Sequence, residues 1–167
     1  MTDYTITQLH LYNQELTELP QDIMMYTQLT HLHCYNNRLT SITHLPPTVT
    51  YISCEHNQIT SLDNLCTLTP RLTMLNCGYN KLTSLDTLPE STTFLSCEYN
   101  QIPYLDYLPP NILELNCANN YLTSLDNFVS TRNYPIKLLY CYNNPLYYNF
   151  EPTLANIINN MNGPVLK

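Results

Sequence analysis

Leucine and cysteine recur along the chain in one pattern, L-x-C-x-x-N-x-L-x-x-L, which stands complete at residues 75–85. The position that Cys77 occupies returns every 20 to 24 residues, at Leu11, Cys34, Cys54, Cys77, Cys97, Cys117 and Cys141. A period of this length with leucines at fixed offsets is the signature of a repeat protein. Seven copies predict a solenoid in which each copy packs against the next.

The short L-x-C segment alternates apolar and polar residues, and this alternation predicts a β-strand. Two residues before each member of the cysteine column stands a large aliphatic residue: Leu9, Leu32, Ile52, Leu75, Leu95, Leu115 or Leu139. One such strand cannot bury its apolar face alone, whereas stacked copies form a continuous core. The pattern therefore predicts a parallel sheet with one short strand per repeat.

Asparagine occupies the position three residues after the cysteine column in six copies: Asn37, Asn57, Asn80, Asn100, Asn120 and Asn144. A buried amide must satisfy both its donor and its acceptor sides. We therefore expect each of these side chains to bond backbone of its own turn and of the neighbouring turn. In the first copy Gln14 replaces the asparagine.

These columns resemble the leucine-rich-repeat family over roughly residues 4–150. The Leu-Pro pairs, such as Leu45-Pro46 and Leu88-Pro89, look most like the short repeats of bacterial secreted effectors, and cysteine-bearing arrays of large DNA viruses are also similar. The resemblance implies a right-handed, curved solenoid with its sheet on the concave face, and protein recognition as its role. Effector ligases of this family carry a Cys-x-Asp nucleophile motif, and no cysteine of this chain has an aspartate two residues on.

The predicted fold class is an α/β-type repeat solenoid dominated by short parallel strands, with little helix on the convex side. Residues 1–150 are expected to form seven repeats, and residues 151–167 a C-terminal cap helix and tail. Leu154, Ile157, Ile158 and Met161 lie on one helical stripe, which predicts that this helix covers the last repeat. On the convex side, Ile23, Met24 and Met25 predict a short helical turn.

Composition narrows the possible partners. The chain carries a net charge of −7 with only six Lys and Arg residues, so nucleic acid is not an expected partner.

The first residues include neither a basic region nor an apolar run, so no signal peptide or membrane segment is expected. The seven cysteines are therefore interpreted as reduced thiols of a cytoplasmic protein, or of a host cytoplasm for an effector or a virus. Cys66 lies outside the column, and we expect it to be buried as well.

The residues that flank the inward-facing pair on each strand are expected to line the concave face. Exposed aromatic and apolar residues on such a face are typical of a binding surface. The candidate partner-binding residues are His10, Tyr12, His31, His33, Tyr35, Tyr51, Glu55, Met74, Phe94, Glu98, Glu114, Leu138, Tyr140 and Tyr142. They predict a non-enzymatic module that binds a protein or peptide, with no catalytic residue and no cofactor.

Two alternatives remain open from the sequence. His10, His31 and His33 cluster in the alignment, and three imidazoles with one open position are typical of a catalytic zinc site. A metal-dependent enzyme is the first alternative, and a structural protein that associates through its ends is the second. The edge at Ile6, Leu9 and Leu11 would allow a homodimer. We expect a monomer instead, because polar residues such as Thr5 and Thr7 blunt that edge.

Overall fold

A computed structural model describes residues 3–125, 135–148, 153 and 155–157. Seven three-residue strands form one parallel sheet in sequence order. They are β1 (Gln8–His10), β2 (His31–His33), β3 (Tyr51–Ser53), β4 (Met74–Asn76), β5 (Phe94–Ser96), β6 (Glu114–Asn116) and β7 (Leu138–Tyr140). The architecture is a curved solenoid with the sheet on its concave face, as the sequence predicts.

The strand register follows the columns of the sequence. Leu9 pairs with Leu32, Ile52 with Leu75, and the central residues continue in the same way up to Leu139. Strand residues alternate between two faces, so a slip of one residue would move every leucine into solvent. The hydrophobic pattern therefore determines the register.

The asparagine column forms the predicted ladder. Asn80 illustrates it: its Nδ2 donates to the carbonyl oxygens of Cys54, Cys77 and Gly78 at 3.0–3.1 Å, and its Oδ1 accepts from the Ile59 N–H at 2.9 Å. Asn57, Asn100, Asn120 and Asn144 make the corresponding bonds. Each amide thus satisfies backbone groups of two successive turns that would otherwise be buried without partners.

A second polar ladder, which the sequence reasoning missed, precedes the strands. The Oγ1 atoms of Thr30, Thr50, Thr73 and Thr93 each donate to the carbonyl oxygen of the threonine one repeat earlier, at 3.0–3.3 Å. The same carbonyls also accept backbone N–H groups of the following strand, as at Thr7 and His31. Threonine is therefore useful here because its hydroxyl adds a bond between repeats at the edge of the sheet.

Six cysteines lie in the core as free thiols, and burial raises their pKa values, to about 12 for Cys34 and about 11 for Cys141. They pack as small apolar residues between the leucines. The prediction for Cys66 is wrong, because its thiol is exposed. It lies on the short helix α1 (Leu65–Leu68), which turns Leu65 and the following Thr69 inward. Cys66, the next residue after Leu65, then points away from the core.

The convex side contains little helix. The predicted turn is present as a 3₁₀ helix at Ile23–Met25, with Ile23 fully buried. Residues 78–93 and 98–113, on either side of strand β5, contain only turns, bends and irregular backbone. Repeats of 20 residues leave too few residues for a full helix after the strand and its turn.

The two ends of the array have different coverings. At the first repeat, the Tyr4 ring packs edge-on against Tyr26 at 5.0 Å, and its hydroxyl donates to Asp22 at 2.9 Å. At the other end, residues 155–157 are helical, and Ile157 is fully buried in the core. Leu154, Ile158 and Met161 lie outside the described residues, as does the boundary expected at residue 150. The cap helix and this division of the chain stay predictions.

Candidate functional site

The strands direct the leucine column inward and present its neighbours to solvent on the concave face. Leu32, Ile52, Leu75 and Leu95 are fully buried, while the strand residues before them remain half-buried or exposed. The candidate residues of the sequence analysis therefore share one surface. That surface carries aromatic rings on the first three repeats and two serine-bound carboxylates, one in the third repeat and one in the fifth.

Six rings at the first three strands contact one another and form what we call the aromatic patch: His10, Tyr12, His31, His33, Tyr35 and Tyr51. Tyr12 stacks on Tyr35 with ring centroids 4.8 Å apart, and His10 stacks on His33 at the same distance. The parallel register places equivalent residues side by side, so rings of one column meet face to face. The patch is a continuous aromatic surface.

The three histidines do not form a metal centre in this arrangement. His10 and His33 lie face to face with an interplanar angle of 12°, while His31 stacks on Tyr51 and its Nδ1 bonds the Thr30 hydroxyl. Among the residues that the structure describes, no group of three or more His, Cys, Asp or Glu residues is suited to hold a metal ion. The geometry therefore argues against the zinc-enzyme alternative.

Packing perturbs the protonation of one imidazole. Partial burial lowers the pKa of His33 most, and the neighbouring His10 and His31 lower it further. Glu55 opposes this shift. A lowered pKa means that the unfolded chain takes up a proton at a higher pH than the folded protein does. The contribution of His33 to the free energy of unfolding is complete above its unfolded-state pKa of about 6.5. It is lost as the pH falls towards the folded-state pKa.

We therefore expect the urea concentration at the unfolding midpoint to decrease when the pH is lowered from 7.5 to 5.5. The decrease should be smaller in His33→Asn. Equilibrium urea unfolding at several pH values measures both. If the midpoint of His33→Asn decreased with pH as much as that of wild type, His33 would not be the origin of the acid sensitivity.

Two glutamates on the concave face accept hydrogen bonds from the serines that end β3 and β5, two residues earlier in the chain. The Ser53 Oγ donates to Glu55 Oε2 at 2.7 Å, and the Ser96 Oγ makes the equivalent short bond to Glu98. Ser53 and Ser96 are themselves buried. The hydroxyls therefore orient both carboxylates on the floor of the concave surface.

The remaining candidates extend the surface with apolar and aromatic groups. Met74 is 39% exposed and Leu138 is 44% exposed, so two apolar side chains lie on a sheet face that meets water. Tyr140 and Tyr142 are exposed on the last strand and just after it, while Phe94 and Glu114 are half-buried. Exposed apolar groups in such positions are typical of interaction surfaces.

A row of left-handed residues borders this face, two positions after the cysteine column. Its φ angles lie between 52° and 58° at Asn13, Asn36, His56, Tyr79, Tyr99, Asn119 and Asn143. Asparagine tolerates this conformation, whereas bulky residues are strained there. Histidine tolerates it as well, as at His56, whereas Tyr79 and Tyr99 occupy it despite their bulk. The ring centroids lie 4.1 Å apart for His56 and Tyr79 and 4.3 Å apart for Tyr79 and Tyr99. The sequence analysis missed this aromatic rim, although aromatic residues among asparagines in one column could have indicated it.

Comparisons with known proteins agree with this fold. Residues 47–90 match the family model described as leucine-rich repeats in two copies. A leucine-rich-repeat protein of Leptospira interrogans is 24% identical, with a TM-score of 0.71 over 86% of this chain and 38% of that one. The leucine-rich-repeat domain of a Shigella effector is 24% identical, with a TM-score of 0.66 over 83% of this chain and 70% of that one.

A third structure is the functional domain of InlJ from Listeria monocytogenes, which is described as including a cysteine ladder. It is 28% identical, with a TM-score of 0.59 over 84% of this chain and 35% of that one. The chain thus spans little more than a third of the Leptospira and Listeria chains. No curated protein matches its sequence.

Residues 47–90 match leucine-rich repeats, and the chain shares the fold of solved leucine-rich-repeat proteins. Its structural relatives include bacterial effector domains, as the resemblance implied. Solenoids of this kind typically act as protein-interaction modules through their extended concave surfaces. In the part of the chain that is described, no helix is both long and apolar enough to cross a bilayer.

Proposed function

We propose that this protein binds a protein or peptide segment on its concave sheet face, with the aromatic patch as the main anchor. The observation that carries this proposal is the continuous contact of six rings across β1, β2 and β3 on the solvent side. Tyrosine provides large amphipathic contact area and is enriched among the residues that dominate binding energy. Met74 and Leu138 extend the same surface along the array.

The proposed role is non-enzymatic. The cysteines of the core column are unsuited as nucleophiles, because burial raises their pKa values and keeps the thiols protonated. Tyr4 packs over Tyr26 at the first repeat, which supports a monomer rather than a dimer through that edge. The free state of all seven cysteines supports a reducing, cytoplasmic location.

A random peptide library displayed on phage tests the proposal. Immobilised wild-type protein is expected to enrich binding peptides, and the Tyr12→Ser/Tyr35→Ser variant should bind the enriched peptides about tenfold more weakly or worse. The matched control is Tyr104→Ser/Tyr107→Ser, which removes two tyrosines that are 60% and 65% exposed outside the concave positions.

Urea unfolding of both variants shows that each remains folded under the binding conditions. If the patch variant binds the selected peptides as tightly as wild type, the concave site is wrong. If no peptide is enriched on wild-type protein, recognition of peptide segments is contradicted.

A further inference from the structure

Three of the six rings in the aromatic patch are imidazoles, and they lie together on β1 and β2. The register pairs His10 with His33, and their rings stack with centroids 4.8 Å apart and an interplanar angle of 12°. His31 lies two residues before His33 on the same strand and therefore on the same face. Histidine is the side chain whose charge changes between about pH 5 and pH 8. The charge of the patch therefore depends on pH.

The stacked arrangement of His10 and His33 suits uncharged rings. Neutral imidazoles pack against each other as other aromatic rings do. Two imidazolium ions in the same place would bring like charges together with ring centroids 4.8 Å apart. In keeping with this, partial burial and then the two neighbouring imidazoles lower the pKa of His33. The stack is thus a feature of the deprotonated patch, and protonation opposes it.

Hydrogen bonding determines which nitrogen of His31 carries the proton. The Thr30 hydroxyl has a single hydrogen, which it donates to the Thr7 carbonyl oxygen at 3.0 Å. The contact of 2.9 Å between Thr30 Oγ1 and His31 Nδ1 is then a bond that the imidazole donates. In the neutral ring Nε2 is left as an acceptor, and on protonation it becomes a second donor. The Thr30 bond persists in both states, so protonation exchanges an acceptor for a donor on a ring of fixed orientation.

Across from these imidazoles stands one carboxylate. Ser53, the register partner of His33 on β3, donates to Glu55 Oε2 at 2.7 Å. Among the described residues, the cation nearest to the imidazoles in sequence is Arg38, which pairs with Glu15 at 3.2 Å. The other titratable neighbours are three phenols and one buried thiol, whose pKa is raised to about 12: Tyr12, Tyr35, Tyr51 and Cys34. Such groups stay uncharged between pH 5.5 and 7.5. Acidification therefore turns the patch from negative or neutral to positive.

We propose that the aromatic patch binds an uncharged segment at neutral pH and releases it on acidification, through protonation of His10, His31 and His33. This inference rests on the proposed concave-face binding and adds the regulation of that site. The segment covers neutral rings and offers an N–H group to Nε2 of His31. Protonation acts against both interactions, because imidazolium ions are costly to remove from water and a protonated Nε2 accepts no hydrogen bond.

The direction of the effect follows from linkage between proton and segment. A segment that covers uncharged imidazoles makes proton uptake harder in the complex than in the free protein. The complex then holds fewer protons, so affinity is highest at neutral pH and falls as the free imidazoles become protonated. A segment rich in carboxylates would show the opposite dependence, because it would attract the imidazolium ions. Uncharged peptides are therefore the informative probes.

A phage-displayed peptide library that encodes only uncharged residues, without histidine, supplies these probes. Peptides selected on wild-type protein at pH 7.5 are synthesised with blocked termini, so that every group that titrates in this range belongs to the protein. Isothermal titration calorimetry should show dissociation constants about tenfold higher at pH 5.5 than at pH 7.5. Near pH 6, titrations in two buffers of different ionisation enthalpy should show that binding releases protons. Circular dichroism restricts the comparison to pH values at which the protein is folded.

The variant His10→Asn/His31→Asn/His33→Asn should bind with dissociation constants that agree within about twofold at the two pH values. His44→Asn, whose ring bonds the Thr43 hydroxyl outside the patch, should keep the wild-type ratio. If the triple variant does not bind at all, proton release by wild-type protein decides, and its absence overturns the inference.

Equal affinities of wild-type protein at both pH values, or tighter binding at pH 5.5, would overturn the proton dependence and leave concave binding in place. The same holds if only the random library, and not the uncharged one, yields binding peptides. If neither library yields any, concave binding and its regulation are both contradicted.

Discussion

Replacement of Cys97 by aspartate is expected to lower the free energy of unfolding by several kcal/mol. Cys97 is fully buried between Cys77 and Cys117, and its thiol contacts the carbonyl oxygen of Asn116 at 3.3 Å. An aspartate there would place a carboxylate among apolar side chains and beside another acceptor, with no cation to compensate it. Cys97→Ala removes one sulfur atom and should be much milder.

Cys66 provides the matched control for this substitution, because its thiol is exposed on α1. Cys66→Asp should change stability by no more than about 0.5 kcal/mol, as surface substitutions usually do. Urea denaturation of the three variants measures the differences. Equal midpoints for Cys97→Asp and Cys97→Ala would contradict the inward assignment of the column.

The second large effect is expected at the asparagine ladder. Asn80→Ala removes four bonds to the backbone of two repeats and leaves buried polar groups unsatisfied, at a cost of roughly 1–3 kcal/mol. Asn80→Asp should cost more, because its carboxylate would face three carbonyl oxygens. The exposed Asn111, which donates once to the Glu90 carbonyl, is the control, and Asn111→Ala should be nearly neutral.

Chemical denaturation compares these variants, and peptide binding by the folded fraction should remain unchanged in Asn80→Ala. A variant that lost binding while keeping wild-type stability would show that Asn80 belongs to a binding site. A wild-type midpoint together with normal binding would contradict the structural role of the ladder.

Much of the candidate site could be located before its geometry was known. The concave positions follow from the strand period, because residues on either side of Leu32 or Leu75 must face away from the core. Which of them contact each other follows only in part from the alignment. It places His10 beside His33, but the contacts of His31 and His33 with Tyr51 depend on side-chain orientation.

The error at Cys66 has a clear physical reason. Its helix is one turn long, and a segment of four residues carries too little periodicity to show which side faces the core. Leu65 and Thr69 are buried at a spacing of four residues, so packing against the neighbouring repeat set the rotation of that turn. Short convex segments are therefore the places where sequence patterns are least informative.

The sequence by itself determined the repeat, the strand register and the asparagine ladder. Each depends on residue types that return at fixed offsets and that fit only one stacked arrangement, as the pairing of Leu9 with Leu32 shows. Only the tertiary structure decided that Glu98 leans over Gly78 and that Tyr79 and Tyr99 stack in a strained conformation. These features depend on distances between side chains of neighbouring repeats, which become defined when the repeats pack together.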